Sequence, residues 1–196
     1  MKIETINDAF IAMAHLCEPG DELINKKLAS GISPNQVLDM LGSKGFPQRD
    51  HVAFTRRFER FDLGAELDFA HQIGARILTR DQEGWPTQLQ ALGTKQPWAL
   101  WAMGSIDFRV IALSSVTIVG TRACTPYGAA ISGQWAAELG AWGTHVFSGG
   151  AIGVDSCVHK GALRAGTPTV SVLASGVHAR YPSSNEYLFA QILENG

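Results

Sequence analysis

Little in this sequence points to a covalent or metal-built framework. Cysteine is scarce: Cys17, Cys124 and Cys157 are an odd number, widely spaced, with no Cys-x-x-Cys pair. That excludes a disulfide scaffold and a zinc ribbon, and it reads as reduced thiols in a cytoplasmic protein. No apolar run approaches the roughly 20 residues that a membrane helix needs. The opening stretch MKIETINDAF carries early acids and no continuous apolar core, so no secretory signal is expected. An excess of positive charge is missing too. Residues 1–110 hold 12 Lys/Arg against 14 Asp/Glu, residues 111–196 hold four of each, and the formal net charge is -2. A protein that grips nucleic acid through a general positive field shows a basic excess. Any nucleic-acid site here must be local, built from a few cations and backbone amides.

What is present is an apolar content of 45%, enough to bury a real core. Repeats and low-complexity tracts are absent. The first 70 or so residues read as helical: Phe10, Met13, Ala14 and Cys17 fall at helical spacing, as do Val37, Leu38 and Leu41 behind a cap at Ser33-Pro34. Phe54, Phe58 and Phe61 mark a third helix. Arg56, Arg57 and Arg60 are interleaved there, either as a solvated face or as a DNA-contacting one. Ala75–Thr79 and the run Pro97–Gly104 read as strands, with a Gly84-Trp85-Pro86 turn between them. We place a boundary near residue 72, with a helical module over 1–72 and an α/β domain over 73–196.

From Val116 the pattern alternates strand and helix three times. VTIVG reads as a strand buried on both faces of a parallel sheet. Thr125-Pro126 reads as a helix cap with proline at the first helical position. HVFS and TVSVL read as the second and third strands, and Gly143 and Gly166 end the helices that precede them. This calls for a Rossmann-like parallel sheet with flanking helices and right-handed crossovers. Ile131, Trp135, Leu139 and Trp142 form a helical stripe expected in the core, and Trp98 and Trp101 are expected between the two parts.

Ligands of such sheets sit beyond the carboxyl ends of the strands. Three loops converge there: Gly120 to Gly128, Ser148 to Gly153, and Ala174 to Pro182. Glycine lets backbone approach an anion, the helix start behind it offers free amides, and Arg122 adds a forked donor suited to phosphate. This set describes an anion site for a phosphodiester or a nucleotide. There is no G-x-G-x-x-G after the first strand, no acid closing the second and no Walker lysine, which speaks against dinucleotide or ATPase chemistry. Asp155 and His159 share a helix face four residues apart. Two readings stay open for them: a metal or acid/base pair, or a structural pair in which Asp155 caps its helix and His159 packs beside the loop. Lys160 and Arg164 likewise form either a solvated face or a phosphate track. Tyr127, Tyr181 and Phe189 have two readings as well: rings that stack on an unpaired base, or buried side chains.

These residues also carry a family resemblance over residues 73–196. VTIVGTRACTPYG is similar to the DNA-processing protein A (DprA/Smf) pattern of a strand, Gly-Ser/Thr-Arg and Tyr-Gly. SGGAIGVDSCVHKGALRAGTPTVSVLASGVHARYPSSNEYL resembles that family's Ser-Gly-x-Ala-x-Gly-Ile-Asp, Ala-His, Gly-Ala-Leu and Tyr-Pro-x-x-Asn-x-x-Leu run. The upstream WPTQL and PWALWAMG are similar to its preceding segment. The resemblance implies a Rossmann-like domain that binds single-stranded DNA at the strand ends, loads RecA onto it in natural transformation, and dimerises. It implies no cofactor, no metal and no catalysis. The residues expected to meet DNA are Gly120, Thr121, Arg122, Tyr127, Gly128, Ser148, Gly149, Gly150, Gly153, Lys160, Gly176, Arg180 and Asn185, with Arg122 the main phosphate contact.

Ser183 stands where many members carry lysine, and Gly150 and Val154 are mild departures. The family's later strands and its Phe-Pro-x-Arg-Asn-Arg segment fall beyond Gly196. The expectation is therefore a domain incomplete on that side, with part of the usual dimer surface missing and an apolar sheet edge exposed. The competing reading is an enzyme that hydrolyses nucleoside monophosphates, with Asp155 or Glu138 as acid or base.

Overall fold

The computed structural model describes residues 3–43, 45–46 and 51–195. The chain divides into two compact units, Met1–Ala102 and Met103–Gly196.

In the first unit five helices precede a small hairpin: α1 (Ile6–Leu16), α2 (Glu22–Ala29), α3 (Pro34–Leu41), α4 (His51–Arg60) and α5 (Leu63–Gln72). Their starts are set by local chemistry. Thr5 and Asp8 form a reciprocal capping box on α1, and Ser33 and Gln36 form one on α3 ahead of Pro34. Asp62 caps α5, and the amides of Ala65 and Gly64 hold its carboxyl below the ordinary carboxylate value. β1 (Arg76–Thr79) pairs antiparallel with β2 (Ala99–Ala102), and a 3-10 helix over Thr87–Lys95 lies between them in the chain.

The core joins Phe10 and Met13 of α1, Ile24 of α2, Val37 of α3, Phe54 of α4 and Trp98. Buried Asn25 organises its polar side: Oδ1 accepts from Trp98 Nε1 at 2.8 Å and from Arg80 at 3.0 Å, while Nδ2 donates to the Thr94 and Gln96 carbonyls. Arg80 stacks over the Phe10 ring, and burial lowers its pKa. The sequence placed the boundary near 72 and Trp98 and Trp101 between the two parts. In the structure both tryptophans serve the first unit: Trp98 bonds Asn25, and Trp101 Nε1 donates to Glu66 of α5 at 2.9 Å. The hairpin groups with the helices because its residues pack on α1 and α5.

The second unit opens with α6 (Phe108–Leu113), capped by Asp107, and alternates thereafter: β3 (Ser115–Thr117), α7 (Pro126–Ala141), β4 (His145–Ser148), α8 (Val154–Arg164), β5 (Thr169–Ser171) and α9 (Glu186–Asn195). The sheet is parallel in the order β3-β4-β5, with Val116 opposite Val146 and Phe147 opposite Val170. This is the Rossmann-like α/β arrangement expected from the sequence. α7 and α8 press together where glycines meet: a Cβ on Gly161 would overlap the Gly133 carbonyl.

Two packing expectations fail. β3 is an edge strand on which Val116 is 40% exposed, Val119 just beyond it is 65% exposed, and Trp135 and Trp142 are 54% and 77% exposed rather than in the core. They line an open groove of about 590 Å³ between α7 and the free side of β3. The buried cluster beneath is small: Ala136, Val146, Val158 and Ala162.

Candidate functional site

β3, β4 and β5 deliver their following loops to one rim, and the loop after β4 is its hub. Ser148 Oγ ties β4 to β3 by donating to the Ile118 carbonyl at 2.6 Å. The chain then turns through Gly149 and Gly150 to Gly153, whose φ of +89° is a left-handed conformation that favours glycine. There is no room for a side chain at Gly153, because the Thr121 and Arg122 carbonyls lie against it, and Val154 N–H donates to Thr121 O at 3.2 Å. The loop after β3 therefore rests directly on the start of α8.

Asp155 fixes the same junction. Its carboxylate accepts from Gly120 N–H at 3.3 Å and from Ala151 N–H at 3.4 Å, and the side chain is only 7% exposed. An internal anion thus takes two amides of the glycine turns. Of the two readings open for Asp155 and His159, the structural one describes what is seen, although Asp155 ties two loops together and Gly153 holds the cap position of α8. His159 is fully enclosed. Its Nε2–H donates to the Gly149 carbonyl at 2.7 Å, which fixes the tautomer. Nδ1 lies 2.9 Å from Thr169 Oγ1, whose single proton serves either that nitrogen or the Val146 carbonyl 2.7 Å away. Burial pushes the imidazole below its ordinary value, against the opposing pull of the Gly149 carbonyl and Asp155. No group of three or more His, Cys, Asp or Glu suited to a metal occurs among the described residues.

Of the thirteen residues expected to meet DNA, Gly120, Thr121, Arg122, Gly149, Gly150 and Gly153 meet at this junction. Arg122 is exposed and makes no ion pair among the described residues. Tyr127 stands in the first turn of α7, 77% exposed, while the Gly128 amide is taken by the Thr125 cap at 3.1 Å. Ser148 is buried in its strand-linking bond. Asn185 is buried as well: its Nδ2 donates to the Gly150 carbonyl and to Ser156 Oγ, both at 2.9 Å, so it holds the hub loop from the α9 side. Gly176 lies against His178 of its own loop, and Arg180 pairs with Glu186 at 3.4 Å. Lys160 is exposed on α8, beyond the first turn.

Tyr181 is 64% exposed, but Phe189, expected to stack, is 3% exposed and packs with Leu188 and Ile192. It fills the space beside Gly150, where a Cβ would meet its ring at 2.8 Å. The sequence reading did not single out Tyr187, 77% exposed at the start of α9. Its helical position gave no signal separable from a packing residue. Glu138, the other carboxylate considered for acid/base work, sits on α7 in the β3 groove and accepts from Gln134 at 2.8 Å.

The profile of the family described as DNA recombination-mediator protein A matches residues 76–196. A protein of Mycobacterium tuberculosis named for DNA processing, DprA, is 30% identical over 177 residues, covering 84% of this chain and 45% of that protein. Protein Smf of Escherichia coli is 27% identical over 179 residues, covering 90% of this chain and 46% of that protein. The chain thus spans about half the length of these curated relatives. The X-ray structure of DNA processing protein A from Streptococcus pneumoniae superposes with a TM-score of 0.72 at 22% identity, over 97% of this chain and 65% of that one. This is a likeness of fold.

Proposed function

The chain belongs to the DNA recombination-mediator protein A family, and from that membership we propose that it binds single-stranded DNA along the rim of β3, β4 and β5. In this reading it shields incoming DNA and hands it to the RecA recombinase during natural transformation and recombination. It acts in the cytoplasm, without catalysing a reaction. No described helix is long and apolar enough to cross a membrane.

The observation that carries the proposal is Arg122: an exposed guanidinium without an ion pair among the described residues, on a loop seated against the glycine turn that opens α8. A forked cation held this way suits a phosphodiester oxygen pair. Lys160 and Arg180 supply further charge, and Tyr127 and Tyr181 offer exposed rings for unpaired bases. Since Asp155 takes the Gly120 and Ala151 amides, cations rather than those turn amides carry phosphate capture.

The test is titration of labelled oligothymidine at moderate salt. Arg122→Ala should weaken binding roughly tenfold to a hundredfold, the effect of removing one charged hydrogen-bonding partner. The salt slope should fall by about 0.7, the value for one phosphate contact on a single strand. Equal binding by the variant and the parent sinks the assignment.

A further inference from the structure

We infer that α4 carries a second contact for single-stranded DNA, at which Arg56, Arg57 and Arg60 hold the phosphodiester backbone. The inference rests on the reading that the chain binds single-stranded DNA, but not on Arg122 or the strand rim. α4 lies ahead of residues 76–196, the range that the family profile matches. The helix is two-sided. Phe54 is buried in the core of the first unit and stacks with Phe58 at 6.0 Å between ring centroids, and Phe61 packs on that core just past the helix end. At 3.6 residues per turn these rings share one side, and the three arginines fall within about 100° of another. All three are exposed, and none makes an ion pair among the described residues.

The acids nearest in the chain leave this charge unanswered. Glu59, on α4 itself, is exposed and pairs with none of the arginines. Asp62 turns its carboxylate to the Gly64 and Ala65 amides at the start of α5. Arg57 and Arg60 sit in the last turn, where cations suit the helix dipole. The dipole favours a place along the axis; it does not gather three guanidinium groups on one side. Residues 1–110 hold 14 acids against 12 bases, yet three of those bases stand together here. Arg56 and Arg60 are about 6 Å apart along the axis at 1.5 Å per residue. Each guanidinium offers a fork of donors to a pair of phosphate oxygens, so the row can follow a sugar–phosphate chain. No aromatic residue of α4 shares this side, and the contact therefore reads backbone and not bases. A phosphodiester is favoured over an acidic peptide because the chain's family is described as a DNA recombination mediator.

The experiment titrates labelled oligothymidine into the full chain over a series of salt concentrations. The double variant Arg56→Gln/Arg60→Gln should lower the salt slope by about 1.4, twice the value for one phosphate contact on a single strand. Lys26→Gln/Lys27→Gln on α2 removes the same charge elsewhere in the first unit and should leave the slope as in the parent. Arg122→Ala is a separate arm: its effect should add to that of the α4 pair. On the parent chain, ultraviolet cross-linking of oligothymidine carrying 4-thiothymidine should mark peptides within residues 51–61, a readout that needs no variant to fold. An unchanged slope in the α4 variant, an equal fall in the lysine variant, or cross-links that avoid residues 51–61 would each overturn the inference. A lower slope in the α4 variant beside no effect of Arg122→Ala would uphold it and sink the rim assignment instead. No binding by the parent would overturn both.

Discussion

In the first unit one continuous core runs from α1 through α2, α3 and α4 to Trp98, with Met13, Ile24 and Val37 wholly enclosed. In the second unit the buried apolar residues are two small clusters, and two tryptophans stand open beside an unpaired strand edge. The first unit is held by apolar burial. The second is held to a larger degree by polar ties at the strand ends, where Asp155, His159, Ser148 and Asn185 each bond backbone atoms of neighbouring loops. A rim built from backbone and small residues leaves little room for a large core. It also leaves the exposed cation and rings that the proposed function requires.

The sharpest way to break this contrast is to remove one tryptophan from each unit. Trp98→Ala deletes a fully buried ring and the bond it donates to Asn25, so it should cost about 4 kcal/mol in denaturant unfolding of the first unit. A loss below about 1 kcal/mol would mean that the core is not held there. Next in size is Gly161→Ala. The added methyl meets the Gly133 backbone, and because two helices must separate, the second unit should lose about 2–3 kcal/mol while the first unit's transition stays in place.

A smaller effect should appear on acidification. Burial holds His159 below its ordinary value of 6.5, so the unfolded chain takes up that proton first. The second unit should be fully stable above that pH and lose stability as pH falls from there through the folded value. The same dependence in a His159→Gln variant would show that another group is responsible. The smallest effect belongs to Trp142→Ala, which should stay within about 0.5 kcal/mol because the ring is already in solvent. A large loss there would show that the β3 groove is filled in solution.

Several features were legible from local signals alone. The caps at Ser33 and Thr125, the stops at Gly143 and Gly166 and the three alternations of strand and helix all appear as read. α2 and α6 were not recognised: α2 buries only Ile24 and Asn25, and the six residues of α6 are too few for a periodic stripe to stand out. The boundary near 72 followed the end of helical periodicity, whereas the compact units divide after Ala102 because the hairpin packs on the helices. At the rim, motif spacing gathered loops that the structure brings together, but not the internal use of their atoms. Nothing near Asp155 in the chain says that its carboxylate accepts from Gly120, 35 residues away.

The sequence by itself determined the class of fold, the glycine turns and the placing of Arg122 at a strand end, because backbone conformation and periodicity are properties of neighbouring residues. Only the tertiary structure decided which apolar side chains find cover. Trp135 and Trp142 meet solvent while Phe189 is enclosed, and all three belong to apolar helical segments. Burial depends on what arrives on the other side of a residue, and for β3 that side is an open strand edge.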